Sequence, residues 1–85
     1  MDMAVVGKII KQYRERKRLS QEVLSGLANV DRSYLSKIES GAHNFTIAVL
    51  YKLADALGVN ASELLSAIEE ENRKTQKERE TEKSS

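Results

Sequence analysis

QEVLSGLANVDRSYLSKIES, residues Gln21 to Ser40, decides the fold. Two short helical periodicities flank a turn of about four residues. The first opens after Ser20, a good N-cap, with Glu22 placed early where the helix dipole favours an anion. It offers Val23, Leu24, Leu27 and Ala28 for burial. The second is predicted to be capped by Asp31 and to turn Leu35 and Ile38 inward, ending near Ser40 where Gly41 supplies a positive φ. Between them Asn29 tolerates a left-handed backbone better than most non-glycine residues, so the chain can reverse sharply. Ser25 and Ala28 are small where the helices must approach, and Leu24, Val30, Leu35 and Ile38 interlock to fix the crossing. The expected product is a helix pair whose second member keeps one whole face free.

Outward from this pair the same reading continues. Val5, Val6, Ile9, Ile10 and Tyr13 form an apolar stripe opposite Lys8, Lys11 and Arg14, which predicts an amphipathic N-terminal helix. Thr46 is placed to cap a fourth helix carrying Ile47, Leu50, Leu53, Ala54 and Leu57 and closed by Gly58. Asn60 with Glu63 resembles a capping box for a fifth helix bearing Leu64, Leu65 and Ile68. No strand pattern is found. The predicted fold is all-α, a compact five-helix domain over residues 1–68. Residues 69–85 contain no aliphatic or aromatic side chain and form a charged C-terminal tail, helical extension or frayed. Pairs such as Glu69 with Arg73 and Glu70 with Lys74 add only about 0.2 to 0.5 kcal/mol each, so fraying is expected after Arg73.

Eighty-five residues fit one domain, and the absence of cysteine removes disulfides and thiolate metal sites. No apolar run approaches the roughly 20 residues of a membrane span, and Met1 to Ile10 lacks the order of a secretory signal. A soluble, cytoplasmic protein with no membrane contact is expected. The net charge of +1 hides an asymmetry: residues 1–60 carry 9 Lys/Arg against 6 Asp/Glu, while residues 61–85 carry 5 against 7. Between Lys8 and Arg18 six basic residues face Glu15 alone. Alone, that cluster reads equally as a solvated helix face or as attraction for a polyanion. His43, the only histidine, has no companion ligand at metal spacing, Glu39 is expected to pair with a basic residue of the body, and Tyr13 and Tyr51 to pack on helix faces. No nucleophile with a base, phosphate loop or ligand cluster is present, so an enzyme is not expected, nor a cofactor.

A helix pair of this kind, with the second helix held proud of the body, is the physical specification of a helix-turn-helix, whose second helix enters a major groove about 12 Å wide. From Leu19 to Leu65 the chain resembles the phage-repressor and Cro type, the xenobiotic-response-element family. The markers are Ser20-Gln21-Glu22, the run Arg32-Ser33-Tyr34-Leu35-Ser36-Lys37-Ile38-Glu39, and Ala54-Asp55-Ala56-Leu57-Gly58-Val59. Three positions depart from the family pattern. Asn29 stands for the usual turn glycine, Gly26 lies inside the second helix, and Phe45 replaces a common proline and is expected to fill a gap between loop and core.

The resemblance implies a sequence-specific regulator of transcription that binds double-stranded DNA as a homodimer on a palindromic operator, with no small-molecule effector evident. It assigns base contacts to Arg32, Ser33, Ser36 and Lys37, with Arg32 suited to bidentate binding of guanine. Phosphate contacts fall to Gln21, Tyr34, Ser40, His43 and Asn44, and the basic cluster adds Arg14 and Lys17. Leu64, Leu65 and Ile68 are expected to form the dimer interface, because so small a chain has little else to cover them. Family members of this size include restriction-modification controllers, phage and plasmid repressors, and antitoxin-like regulators. Compactness favours a controller that regulates its own operon. The alternative is an antitoxin-type module whose tail binds a toxin.

Overall fold

The computed structural model describes residues 2–84, with side chains described through Glu78. Five helices follow in order: α1 Met3–Arg16, α2 Gln21–Ala28, α3 Arg32–Glu39, α4 Ile47–Leu57 and α5 Ala61–Ser84. There is no strand among the described residues. Helix starts are fixed by side chains that accept from orphan amides: Asp2 from Ala4 at 2.9 Å, Ser20 from Val23 at 3.1 Å and Thr46 from Val49 at 3.2 Å. Asp31 precedes α3 as predicted but makes no side-chain cap; its carboxylate instead accepts from the Ser33 hydroxyl.

The first four helices end in one way. Arg18, Asn29, Gly41 and Gly58 take positive φ values of 58, 56, 80 and 72°. In each case the following N–H reaches back five residues, Leu19 to Arg14, Val30 to Ser25, Ala42 to Lys37 and Val59 to Ala54, at 2.9 to 3.1 Å. Leu19, Val30 and Val59 then pack on the core, the apolar contact that accompanies this closure. Asn29, Gly41 and Gly58 are legible as helix stops in the sequence. Arg18 is not, since nothing in its side chain favours the left-handed region.

The core joins all five helices. Val6, Ile9 and Ile10 of α1 meet Leu24 and Ala28 of α2, Leu35 and Ile38 of α3, Leu50, Leu53, Ala54 and Leu57 of α4, and Leu64 and Ile68 of α5. Phe45 packs against this core from the loop, as the sequence suggests. Several expected core residues lie outside: Val23 and Leu27 are 48 and 61% exposed, Ile47 72% and Tyr51 61%. The reason is geometric: a two-turn helix wedged between neighbours turns in one column of side chains. In α2 that column is Leu24 and Ala28 with Ser25 beside them, leaving Val23 and Leu27 outside.

Helix α5 is longer than its apolar pattern and runs past Arg73, where fraying was expected, to Ser84. Lys8 of α1 pairs with Glu71 at 2.6 Å and Arg73 with Glu70 at 2.9 Å, which ties the first charged turns to the body and to each other. The bond from Lys8 holds the Glu71 carboxyl below its usual range and raises the Lys8 ammonium. Ser85, the last residue of the predicted tail, lies outside the described residues.

Two glycines in helices have opposite surroundings. A Cβ on Gly7 would run into the backbone carbonyls of Ile38 and Glu39, so only glycine lets α1 lie this close to the end of α3. A Cβ on Gly26 would meet nothing within 4 Å. Gly7→Ala should therefore destabilise the domain by about 1 to 3 kcal/mol in urea unfolding, whereas Gly26→Ala should stabilise it by up to about 1 kcal/mol. Equal effects in the same direction would contradict this packing.

Candidate nucleic-acid interface

The free face of α3 follows from its spacing. Leu35 and Ile38 are completely buried, and the residues on the opposite side, Arg32, Ser33, Ser36 and Lys37, are all exposed. These four sit at i, i+1, i+4 and i+5, a contiguous stripe along one side of the helix. Among the described residues no ion pair engages Arg32 or Lys37. Both cations thus project from a helix whose other side is locked into the core. The four positions read from the sequence as base-contacting are brought together on one surface.

Around this stripe the predicted phosphate-binding residues divide. Lys17, Ser40, His43 and Asn44 are exposed. The Ser40 hydroxyl donates back to the Lys37 carbonyl at 2.9 Å. Tyr34 is half-buried: its hydroxyl donates to the Asn44 carbonyl at 3.4 Å and its ring meets His43 edge to face, with centroids 6.1 Å apart. It braces the loop after α3 against the helix. Gln21, at the start of α2, donates its amide to Glu39 at 3.1 Å.

Arg14 requires correction as a phosphate contact. Its guanidinium turns inward and grips Glu39 with two bonds, Nε to Oε2 at 2.7 Å and Nη2 to Oε1 at 2.9 Å, while Nη1 donates to the Leu19 carbonyl at 2.7 Å. The side chains are only 12 and 4% exposed. The hydrogen bond to Glu39 raises the Arg14 pKa further above its ordinary value against the opposing effect of burial. Glu39 is thus paired with a basic residue, as its place at the end of α3 suggests. The signal for Arg14 lay in its position, four residues after Ile10 and so in an inward column of α1.

Arg14, Gln21 and Glu39 floor a polar cleft between α1 and α3 whose rim carries Lys11, Ser36 and Ser40. An open apolar groove runs between α1, the loop before α4 that carries Asn44, and α5. Ile47 and Leu65 stand exposed beside it, and Met3, Val6, Phe45, Leu50 and Ile68 also line it. This corrects the expected dimer surface in part: Leu64 and Ile68 are 0 and 1% exposed within the protomer, and only Leu65, 41% exposed, faces out. An isolated domain of this size needs such residues for its own core, where each fully buried Leu or Ile contributes about 1.5 to 3 kcal/mol.

No group of three His, Cys, Asp or Glu side chains among the described residues is placed to hold a metal ion. No helix there is long and apolar enough to cross a membrane.

Residues 10–64 match the family model described as helix-turn-helix. Control protein C.MunI of Mycoplasma sp is 41% identical over 65 residues, covering 76% of this chain and 88% of that one. A transcriptional regulator of the helix-turn-helix type from Sinorhizobium fredii is 39% identical over 71 residues, 82% of this chain and 92% of its own. Among solved structures, the restriction-modification controller C.AhdI of Aeromonas hydrophila superposes with a TM-score of 0.73 at 38% identity, over 74% of this chain and 96% of that one. The controller C.Esp1396I, as a tetramer in complex with its natural 35 base-pair operator, gives 0.76 at 32% identity over 81 and 91%.

The turn between α2 and α3 sets how the exposed stripe is presented, and it hinges on the left-handed Asn29. Asn29→Gly should leave stability unchanged or slightly raised, whereas Asn29→Ala should cost about 1 to 2 kcal/mol by thermal unfolding. An alanine variant as stable as the parent would contradict the strain assigned to this turn.

Proposed function

The chain belongs to the helix-turn-helix family of DNA-binding transcriptional regulators, and we propose that it acts as a homodimer on a palindromic operator, as a restriction-modification controller that regulates its own operon. It is not an enzyme. The observation that carries this reading is the stripe of Arg32, Ser33, Ser36 and Lys37, exposed together on a helix whose opposite face is fully buried. Arg32 offers two parallel donors to guanine O6 and N7, and Lys37 supplies a second cation about a turn further along the helix. Ser33 and Ser36 donate or accept at base edges. The phosphate backbone is assigned to Lys17, Ser40, His43 and Asn44, with the start of α2 at Gln21; the exposure of the first four supports this.

A single eight-residue helix reads too few base pairs for high specificity, and a two-fold pair doubles the readout on half-sites about 34 Å apart or a multiple of it. The apolar groove with Ile47 and Leu65 is the surface proposed for that pairing, with Leu64 and Ile68 supporting it from beneath. It supplies what a partner needs: exposed aliphatic side chains over a packed floor. The relative C.Esp1396I meets its operator as a tetramer, which supports assembly through copies of one chain. Regulation of operons inside the cell also fits a cytoplasmic location. The alternative of a tail that binds a toxin draws no support from these relatives.

Arg32→Ala should weaken binding to the preferred duplex by about 1 to 3 kcal/mol and relax one base position, while Lys17→Ala should weaken all duplexes alike and reduce the salt slope by about one. Equal losses for Arg32→Ala on preferred and scrambled duplexes, measured by anisotropy titration, would move Arg32 to the phosphate backbone. In sedimentation, Ile47→Glu or Leu65→Glu should give monomers that bind a full site no better than a half-site; a dimer of unchanged strength would exclude this groove as the interface.

A further inference from the structure

The Arg14 and Glu39 pair has a cost that its contribution to the fold does not explain. Taking a guanidinium and a carboxylate out of water is expensive, and replacing a buried ion pair by well-packed apolar residues of similar volume is often neutral or stabilising. What the pair supplies and apolar residues cannot is direction. Burial of Leu35 and Ile38 holds α3 against the body, but the hydrophobic effect is non-directional and leaves the helix free to roll or slide by small amounts. A two-pronged guanidinium–carboxylate contact fixes both distance and plane.

The bonds made by these two groups reach four segments at once. Arg14 projects from α1, its Nη1 holds the Leu19 carbonyl in the turn that leads into α2, and its other donors hold Glu39, the last residue of α3. Glu39 in turn accepts from Gln21, the first residue of α2. Beside this network the backbone of Ile38 and Glu39 rests directly on Gly7. The start of α2 and the end of α3 are thereby set in one frame, and the cleft above carries Lys11, Ser36 and Ser40 on its rim.

We propose that Arg14 is a positioning residue for DNA readout: through Glu39 it fixes the register between the phosphate-facing start of α2 and the base-facing stripe of α3, and so sets discrimination between duplexes more than attraction to them. This rests on the assignment of α3 to the major groove. Arg14 also neutralises the Glu39 carboxylate beneath a surface meant for phosphates, so removing Arg14 alone would confuse two effects. The informative variant replaces both partners, Arg14→Met with Glu39→Leu.

The test uses the full chain and two duplexes: the tightest that the native protein selects from a randomised library, and a scrambled duplex of the same length and composition. The double variant should melt at or above the native temperature and bind the scrambled duplex within about twofold of native, while its affinity for the selected duplex falls by about tenfold or more, the size of one or two mismatched base pairs. Arg14→Lys, which keeps the charge and loses the fork, should fall between. An unchanged ratio of the two affinities, or an equal loss on both duplexes, overturns the proposal. Should the double variant fail to melt cooperatively, Glu39→Gln carries the same comparison, with a reduced ratio expected and an unchanged one overturning it. A native protein that selects no duplex at all would instead sink the DNA-binding role itself and the positioning role with it.

Discussion

An eight-residue helix does not hold its shape alone in water, where helices shorter than about 12 to 15 residues are marginal. Everything this protein offers to a duplex depends on such a helix, so α3 must be made rigid from one side while the other is kept free. Complete burial of Leu35 and Ile38 holds the helix against the body, and the bonds from Arg14 to Glu39 fix its direction. The second condition follows because Arg32, Ser33, Ser36 and Lys37 all remain exposed. The rest of the chain is the support for this division. Helices α1 and α2 bear on α3 directly, and α4 and α5 complete the core against which they are held.

The support is built from two kinds of contact with different roles. Aliphatic packing from all five helices provides stability without direction. Direction comes from the helix ends. Four left-handed residues turn the chain at fixed places, Gly7 admits the end of α3 to within backbone contact of α1, and the Arg14 fork ties Glu39 and the Leu19 carbonyl to a single guanidinium. The apolar groove beside Ile47 and Leu65 is the complement of this economy. A core this small covers Leu64 and Ile68 but leaves Ile47 and Leu65 exposed beside them.

Much of this was legible in the residues. The five helices, their order and the division of α3 into buried and free faces follow from apolar spacing and from Ser20, Asn29, Thr46 and Gly58 as punctuation. The errors share a physical cause. Periodicity identifies adjacent columns of apolar side chains without saying which one turns in. In α2 the column of Leu24 and Ala28 went inward and that of Val23 and Leu27 outward; in α5 Leu64 and Ile68 went inward and Leu65 did not. Charge misled at Arg14, whose place in an inward column was outweighed by its membership of a basic cluster. The contacts that needed three dimensions, Gly7 under Glu39 and Tyr34 against the loop at Asn44, left no mark in the local pattern.

The proposed role stands on entry of the Arg32 to Lys37 face into the major groove in symmetric pairs. Dimethyl sulfate protection tests it most directly, because the reagent methylates guanine N7 in the major groove and adenine N3 in the minor groove. On the duplex the protein selects, two patches of guanine protection are expected on one face of the duplex, one helical turn or a multiple of it apart. Protection confined to adenine, or none with the duplex fully bound, would contradict it.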